Sequence, residues 1–337
     1  MNKVRFGLIG FSQGYYATTY TRHISKFKEV DVVACCDLGQ SLDYVKECAG
    51  ISAEQFCDEI GAQLIHDIEA FLDLELDAVM IATEVWEHAK YTMMSLKRGW
   101  HVFVGKPLSI EPDEIEEIIQ LSQSKDLIVV PGNPLLFETG IEQVRSRVMN
   151  GEIGTPTNLR LFVHHEAMIH QQWERDSKKS GGPLGTFGVY LIDTVRRLTG
   201  QNISELFALG DTFVYPEINA YDTIQISAKT TGGMLASLNL VSTITWDFPF
   251  VLLDIVGTKG TIRTNYDNYS YILQGENTTQ LGGIRYSPMG NLEIEHFIDC
   301  CQGRSKPKMT IFDMLAVSRN LKAVQKSLVT GNKVNVT

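Results

Sequence analysis

Residues 99–111, Gly99-Trp100-His101-Val102-Phe103-Val104-Gly105-Lys106-Pro107-Leu108-Ser109-Ile110-Glu111, decide how the chain is read. A glycine suited to ending a helix precedes a short apolar run, His101–Val104, of strand character. Lys106-Pro107 follows where that strand must stop. Pro107 fixes its own φ and pushes Lys106 out of the α region, so the ammonium sits on a stiff, extended dipeptide. If the run is an interior strand of a parallel sheet, Lys106 projects from its carboxyl end. Open α/β sheets place their ligands at that edge.

Working outward, Val4–Ile9, Val30–Cys36, Ala78–Ala82 and Leu127–Val130 are further short apolar runs, separated by segments of helical period. In Pro112–Ser124, Ile115, Ile118, Ile119 and Ser122 share a face. Pro112 suits the first turn, and Asp113 and Glu114 suit its dipole. Apolar strands alternating with helices imply a parallel sheet covered on both faces. Beyond Val130 the texture changes. A helix is expected over Gly140–Asn150, stopping at Gly151, then a strand over Thr157–His165, a Gly-rich turn, and a helix near Val189–Leu198. Strand-like segments follow in succession: Leu206–Tyr215, Thr223–Thr230, Met234–Thr243, Val251–Val256 and Thr261–Thr264. Gly232-Gly233 is a hairpin signal between two of them. The short turns imply an open, mainly antiparallel sheet. Helices at Leu292–Cys301 and Ile311–Leu328 close the chain.

With 337 residues the chain has room for two domains and large cores. A net charge of −10 without a Lys/Arg run argues against nucleic acid and anionic membranes as partners. No secretory leader and no apolar segment of about 20 residues is read from the sequence. The six cysteines lack CxxC or His-rich spacing, so no metal is expected, and free thiols in a reducing cytoplasm are the simplest account.

The first turn is a degenerate phosphate-binding fingerprint. Gly10 fits its first glycine and Ser12, small enough for close approach, holds the second. Tyr15 falls at the third unless an insertion lets Ala17 take that place. Asp37, at the end of the second run and 27 positions past Gly10, is placed to accept from a ribose diol and repel a 2′-phosphate. NAD is therefore favoured over NADP. A bare strand–turn–helix and a solvated turn aspartate are the plainer readings of these two features.

Together, Ala78–His88 (AVMIATEVWEH), His101–Pro107 (HVFVGKP), Gly181–Asp193 (GGPLGTFGVYLID) and the tail from Glu293 through Val334 resemble the Gfo/Idh/MocA family of dinucleotide-dependent oxidoreductases. The resemblance implies a Rossmann domain over residues 1–132 and an α+β substrate-binding and oligomerisation domain over 133–337. It also implies a homodimer or homotetramer through the C-terminal sheet. Around the cofactor it places Gly10, Phe11, Ser12, Gln13, Asp37, Thr83, Trp86, His88, Lys106 and Asn133. Around the substrate it places Lys106, His165, Trp173, Thr186, Tyr190 and Asp193, with Lys106 and Tyr190 catalytic.

Departures from the family pattern are specific. The glutamate of its Glu-Lys-Pro motif is Gly105, Glu84 brings a charge where proline is usual, and the Asp and His of its Asp-x-Gly-x-His segment are Thr186 and Tyr190. A phenol near an ammonium has its ionised form stabilised, so Tyr190 is able to serve as the acid/base. His164, His165 and His170 precede the Gly-rich turn, and strand alternation lets at most one of the adjacent pair face a site. Trp173 is suited to stacking on a sugar face.

The activity implied is hydride transfer to or from a secondary alcohol of a sugar, cyclitol or related polyol. Two alternatives keep the fold. One is a redox-neutral epimerase, lyase or glycosidase using transient oxidation, and the other a non-catalytic NAD or sugar sensor.

Overall fold

The structure is a computed structural model that describes residues 3–165, 171–242, 250–264, 268–273, 279–283 and 289–336. It divides into two compact units, Met1–Pro134 with Pro288–Leu315, and Leu135–Ser287 with Ala316–Thr337.

The first unit is built on a six-stranded parallel sheet. Its strands are β1 (Val4–Ile9), β2 (Val30–Cys36), β3 (Gln63–Ile65), β4 (Ala78–Ile81), β5 (His101–Val104) and β6 (Val129–Pro131), in the order β3-β2-β1-β4-β5-β6. The order reverses between β1 and β4, which creates the crevice where doubly wound sheets bind nucleotides. β1, β4 and β5 are almost wholly buried, as expected when helices cover both faces. Helix Pro112–Lys125 buries Ile115, Ile118, Ile119 and Ser122, with Pro112 in its first turn beside Asp113 and Glu114. Helix Met289–Cys301 joins this unit from far along the chain: Ile294, Phe297 and Ile298 enter the core, and the Phe297 ring lies 5.7 Å from that of Phe103.

The region after β2 holds two helices that the sequence reading did not separate. Leu42–Ala49 is capped by Ser41, and Ala53–Ile60 is opened by a capping box between Ser52 and Gln55. Each ends on a left-handed glycine, Gly50 and Gly61.

The second unit carries a nine-stranded mixed sheet of β7 (Pro156–His165), β8 (Ile203–Asp211), β9 (Thr223–Thr230), β10 (Leu235–Ser242), β11 (Val251–Gly257), β12 (Gly260–Thr264), β13 (Asn268–Leu273), β14 (Thr279–Gly283) and β15 (Val334–Asn335). The order is β14-β13-β12-β11-β7-β10-β9-β8-β15, antiparallel throughout except that β10 runs parallel to β7. The Gly232-Gly233 hairpin joins β9 to β10, with Lys229 opposite Leu235. The expected Gly-rich turn after residue 180 is instead the first half of a helix, Gly182–Thr199. Gly181 and Gly182 take left-handed φ at its start, Pro183 suits the first turn, and Leu184, Phe187, Leu191 and Leu198 supply a buried stripe. No helix among the described residues is long and apolar enough to cross a membrane.

Candidate functional site

The carboxyl ends of β1, β2, β4 and β5 gather most of the first unit's candidate residues. Gly10 follows β1 with φ +85°, and a Cβ there would lie 2.5 Å from Thr83 Cγ2. Only glycine satisfies both the left-handed backbone and the approach to the end of β4. The Gln13 N–H donates to the Ala82 carbonyl at 2.9 Å, tying the turn to the same strand. The turn runs into a π-helix, Tyr15–Tyr20. In it Tyr15 is exposed, whereas Tyr16, Ala17, Thr18 and Tyr20 are buried. Phe11 is committed to the core, its ring edge-on to Phe56 at 5.9 Å.

Asp37 sits buried just past β2. Its carboxylate accepts from the Gly39 N–H at 3.0 Å and contacts His66 Nδ1 at 2.9 Å. Beside it lies a cavity of about 230 Å³ bounded by Asp37, Gly39, Gln40, Val45, Glu54 and His66. The Gln40 Oε1 is buried and lacks a hydrogen-bond partner. A carboxylate and an unsatisfied carbonyl beside a cavity suit the hydroxyls of a ribose, so the residues present fit the adenosine end of a dinucleotide.

Lys106 is only 8% exposed, and its peptide bond to Pro107 is cis. Two side chains brace the dipeptide. Gln13 Nε2 donates to the Lys106 carbonyl at 3.0 Å, and the fully buried His88 ring bridges the Pro107 carbonyl, 2.7 Å from Nδ1, and the Thr83 carbonyl, 3.0 Å from Nε2. Burial pushes the His88 pKa down, although both carbonyls pull it the other way. His88 thus lies between the end of β4 and the dipeptide after β5, donating to one of these carbonyls as the neutral ring and to both only as the imidazolium. Trp86 is half-buried in the first turn of helix Val85–Arg98.

A Cβ at Gly105 would lie 1.7 Å from Gln13 Oε1, so a larger residue there would require the Gln13 amide to swing away from its place beside Lys106. A carboxylate serves this region. Glu293, 1% exposed on helix Met289–Cys301, accepts from Tyr20 Oη at 2.6 Å and from the Asn133 N–H, and it feels the Lys106 ammonium. Burial pushes Glu293 up to about 7 against the pull of Tyr20, Asn133 and Lys106. Burial and the Glu293 charge likewise raise the Tyr20 phenol. Little in the sequence marks Glu293 as a site residue. A lone carboxylate on the apolar face formed by Ile294, Phe297 and Ile298 was the available signal.

Ser12 has no exposed surface. Gln40 Nε2 reaches its Oγ at 3.3 Å and Tyr44 Oη at 3.4 Å, and both donors also reach Glu84 Oε1. Of these, Gln40 and Tyr44 were not legible as site residues, since their approach depends on the path of the chain after β2.

In the second unit, β7 alternates as expected. His164 lies on the face of Phe162, and His165 on the opposite face, its ring 4.6 Å from Phe187 and 5.7 Å from Phe250. The buried Tyr190 ring is 5.5 Å from Phe250 and 6.2 Å from Phe187, so His165 and Tyr190 share two aromatic neighbours. Thr186 is half-buried on the same helix. Asp193 is buried, with Arg197 Nε 3.6 Å away one turn on. Trp173 is buried on a short 3-10 turn, Gln172–Arg175. His170 lies outside the described residues.

Comparison with known proteins agrees with this architecture. Residues 4–133 match the oxidoreductase family with NAD-binding Rossmann fold, and residues 141–263 the GFO/IDH/MocA C-terminal domain. An uncharacterized oxidoreductase, YrbE, of Bacillus subtilis is 22% identical over 98% of this chain and 96% of its own. A myo-inositol 2-dehydrogenase of Thermotoga maritima is 24% identical over 77% of this chain and 74% of its own. The crystal structure of an NAD binding oxidoreductase from Klebsiella pneumoniae superposes with a TM-score of 0.85 at 18% identity, covering 99% of each chain. With both halves matched in order and a sheet order suited to dinucleotides, the chain belongs to the Gfo/Idh/MocA family of oxidoreductases.

Proposed function

We propose that this chain is an NAD-linked dehydrogenase or reductase acting on a secondary alcohol of a sugar, cyclitol or related polyol. The observation that carries the reading is the braced Lys106, a largely buried cation at the carboxyl end of β5 in a sheet whose order reverses beside it. Myo-inositol 2-dehydrogenase activity in the name of a relative supports the substrate class.

Each residue's part follows from its chemistry. Asp37 and Gln40 bind the ribose hydroxyls, and the Asp37 charge disfavours a 2′-phosphate, which selects NAD. A nicotinamide, when bound, would supply the hydride acceptor or donor. Lys106 donates to the reacting oxygen and stabilises negative charge as it develops there. Tyr190 serves as the acid/base of the reaction. Glu293 holds the Asn133 backbone and lies within the field of Lys106, so it is a positioning residue. A homo-oligomer through the open sheet of the second unit accompanies this reading.

The test is NADH formation by the purified chain with a panel of cyclitols and polyols, alongside Lys106→Ala. Turnover that falls by orders of magnitude in a folded variant supports the assignment, and near-normal turnover sinks it. One observation favours a second reading, that of a sensor: Ser12 is covered by Tyr44 and Gln40. Ligand binding without turnover on any substrate would select it.

A further inference from the structure

The turn after β1 is covered by protein groups whose chemistry is that of an anion site. Ser12, at the place of the fingerprint's second glycine, is fully buried. Two neutral donors, Gln40 Nε2 and Tyr44 Oη, lie 3.3 and 3.4 Å from its Oγ, and both are turned onto the carboxylate of Glu84. Gln40 reaches Glu84 Oε1 at 3.2 Å, and Tyr44 makes a shorter contact. A negative oxygen thus sits on the donors beside the serine of a turn that, in this fold, approaches a pyrophosphate.

Two further observations set this apart from ordinary local packing. Glu84 is the N-cap of helix Val85–Arg98, yet its side chain makes no capping bond, so the carboxylate is directed away from the helix's own N–H groups. Helix Leu42–Ala49 is also pressed against the same turn, since a Cβ on Gly14 would lie 2.0 Å from the Cys48 carbonyl. That approach carries Tyr44 to the turn. Burial, and then Glu84, push the Tyr44 phenol well above its ordinary value, so the hydroxyl stays a donor.

We propose that Glu84 is a built-in occupant of the dinucleotide's phosphate position, and that Glu84 and Tyr44 set the affinity and anion selectivity of cofactor binding. The pyrophosphate enters by displacing the Glu84 carboxylate from Tyr44 and Gln40, whose donors then turn to phosphate oxygens. No bond is made or broken in the exchange; one anion replaces another on the same two donors. This inference rests on the dinucleotide reading above.

The experiment is isothermal titration of the full chain with NAD, with ADP and with adenosine, for wild type, Glu84→Gln and, should that variant fold poorly, Glu84→Ala. Removing the competing charge should tighten NAD and ADP by about tenfold or more and leave adenosine, which carries no phosphate, nearly unchanged. Binding of NAD by the variant alone would support the proposal most strongly. Equal ADP affinity in wild type and variants overturns the inference and leaves the dinucleotide reading standing. Equal tightening of adenosine and ADP overturns it as well, because a loosened pocket would then explain the gain. If neither wild type nor variant binds any dinucleotide, both readings fall.

Discussion

Replacing Glu293 by glutamine should flatten one part of the protein's pH–stability profile. The wild-type carboxyl is pushed by burial from its ordinary 4.5 to about 7, so the folded state holds this proton more tightly than the unfolded chain. A carboxyl with a raised folded pKa contributes stability that is fully present below pH 4.5 and lost as pH rises through about 7. Integrated from pH 5 to pH 8, the loss is about 2.5 kcal/mol at about 1.4 kcal/mol per pKa unit. A glutamine at this position has no proton to lose. Its amide is able to accept from the Asn133 N–H and donate to Tyr20 Oη, so both existing partners are kept. Buried His88, whose pKa burial lowers, titrates in both proteins and cancels in the difference. Scanning calorimetry of wild type and Glu293→Gln at pH 5 and pH 8 reads the effect directly. The variant should gain on wild type by about 3–4 °C between those two pH values, because a chain of 337 residues unfolds with an entropy of about 0.7 kcal/mol per kelvin. A difference in Tm that stays constant between pH 5 and pH 8 would refute the reasoning, since Glu293 would then titrate alike in folded and unfolded chains.

Other perturbations test the remaining links. Gly10→Ala forces a side chain into φ +85° and against Thr83, and should cost about 2 kcal/mol or more in chemical denaturation; an unchanged midpoint would mean the turn relaxes freely. Asp37→Asn removes the charge that disfavours a 2′-phosphate and should narrow the preference for NAD over NADP by about tenfold in titration; an unaltered ratio would place selectivity elsewhere. Tyr190→Phe removes only a hydroxyl from a ring packed on Phe250, so it should lower turnover and change the pH–rate profile with little effect on Tm. An unchanged profile would move the acid/base role away from this residue, with His165 next in line.

Much of the first unit was readable because its signals are local. The apolar runs at Val4–Ile9 and Val30–Cys36 coincide with β1 and β2, and the face Ile115-Ile118-Ile119-Ser122 is buried as its period requires. Ala17 is buried in the π-helix Tyr15–Tyr20 alongside Tyr16, Thr18 and Tyr20. The Gly-rich segment after Gly181 misled, because glycine frequency reads as a turn, whereas the stripe from Leu184 through Leu198 buries enough apolar surface to hold a helix.

Sequence by itself determined the alternation of strand and helix, the lysine on a proline-restricted strand end, the aspartate closing β2 and the family. These depend on residue type and spacing along a few turns or one strand. Tertiary structure alone decided that the space beside Gly105 belongs to Gln13 and that the carboxylate near Lys106 comes from Glu293. It likewise decided that Ser12 lies beneath Tyr44, Gln40 and Glu84. Those relations join residues tens to hundreds of positions apart, and they form only when the sheet order and helix packing bring the chain ends of β1, β2, β4 and β5 to one edge. Whether an ionisable group meets water or protein is set by that packing, so its charge state belongs to the fold and not to its place in the sequence.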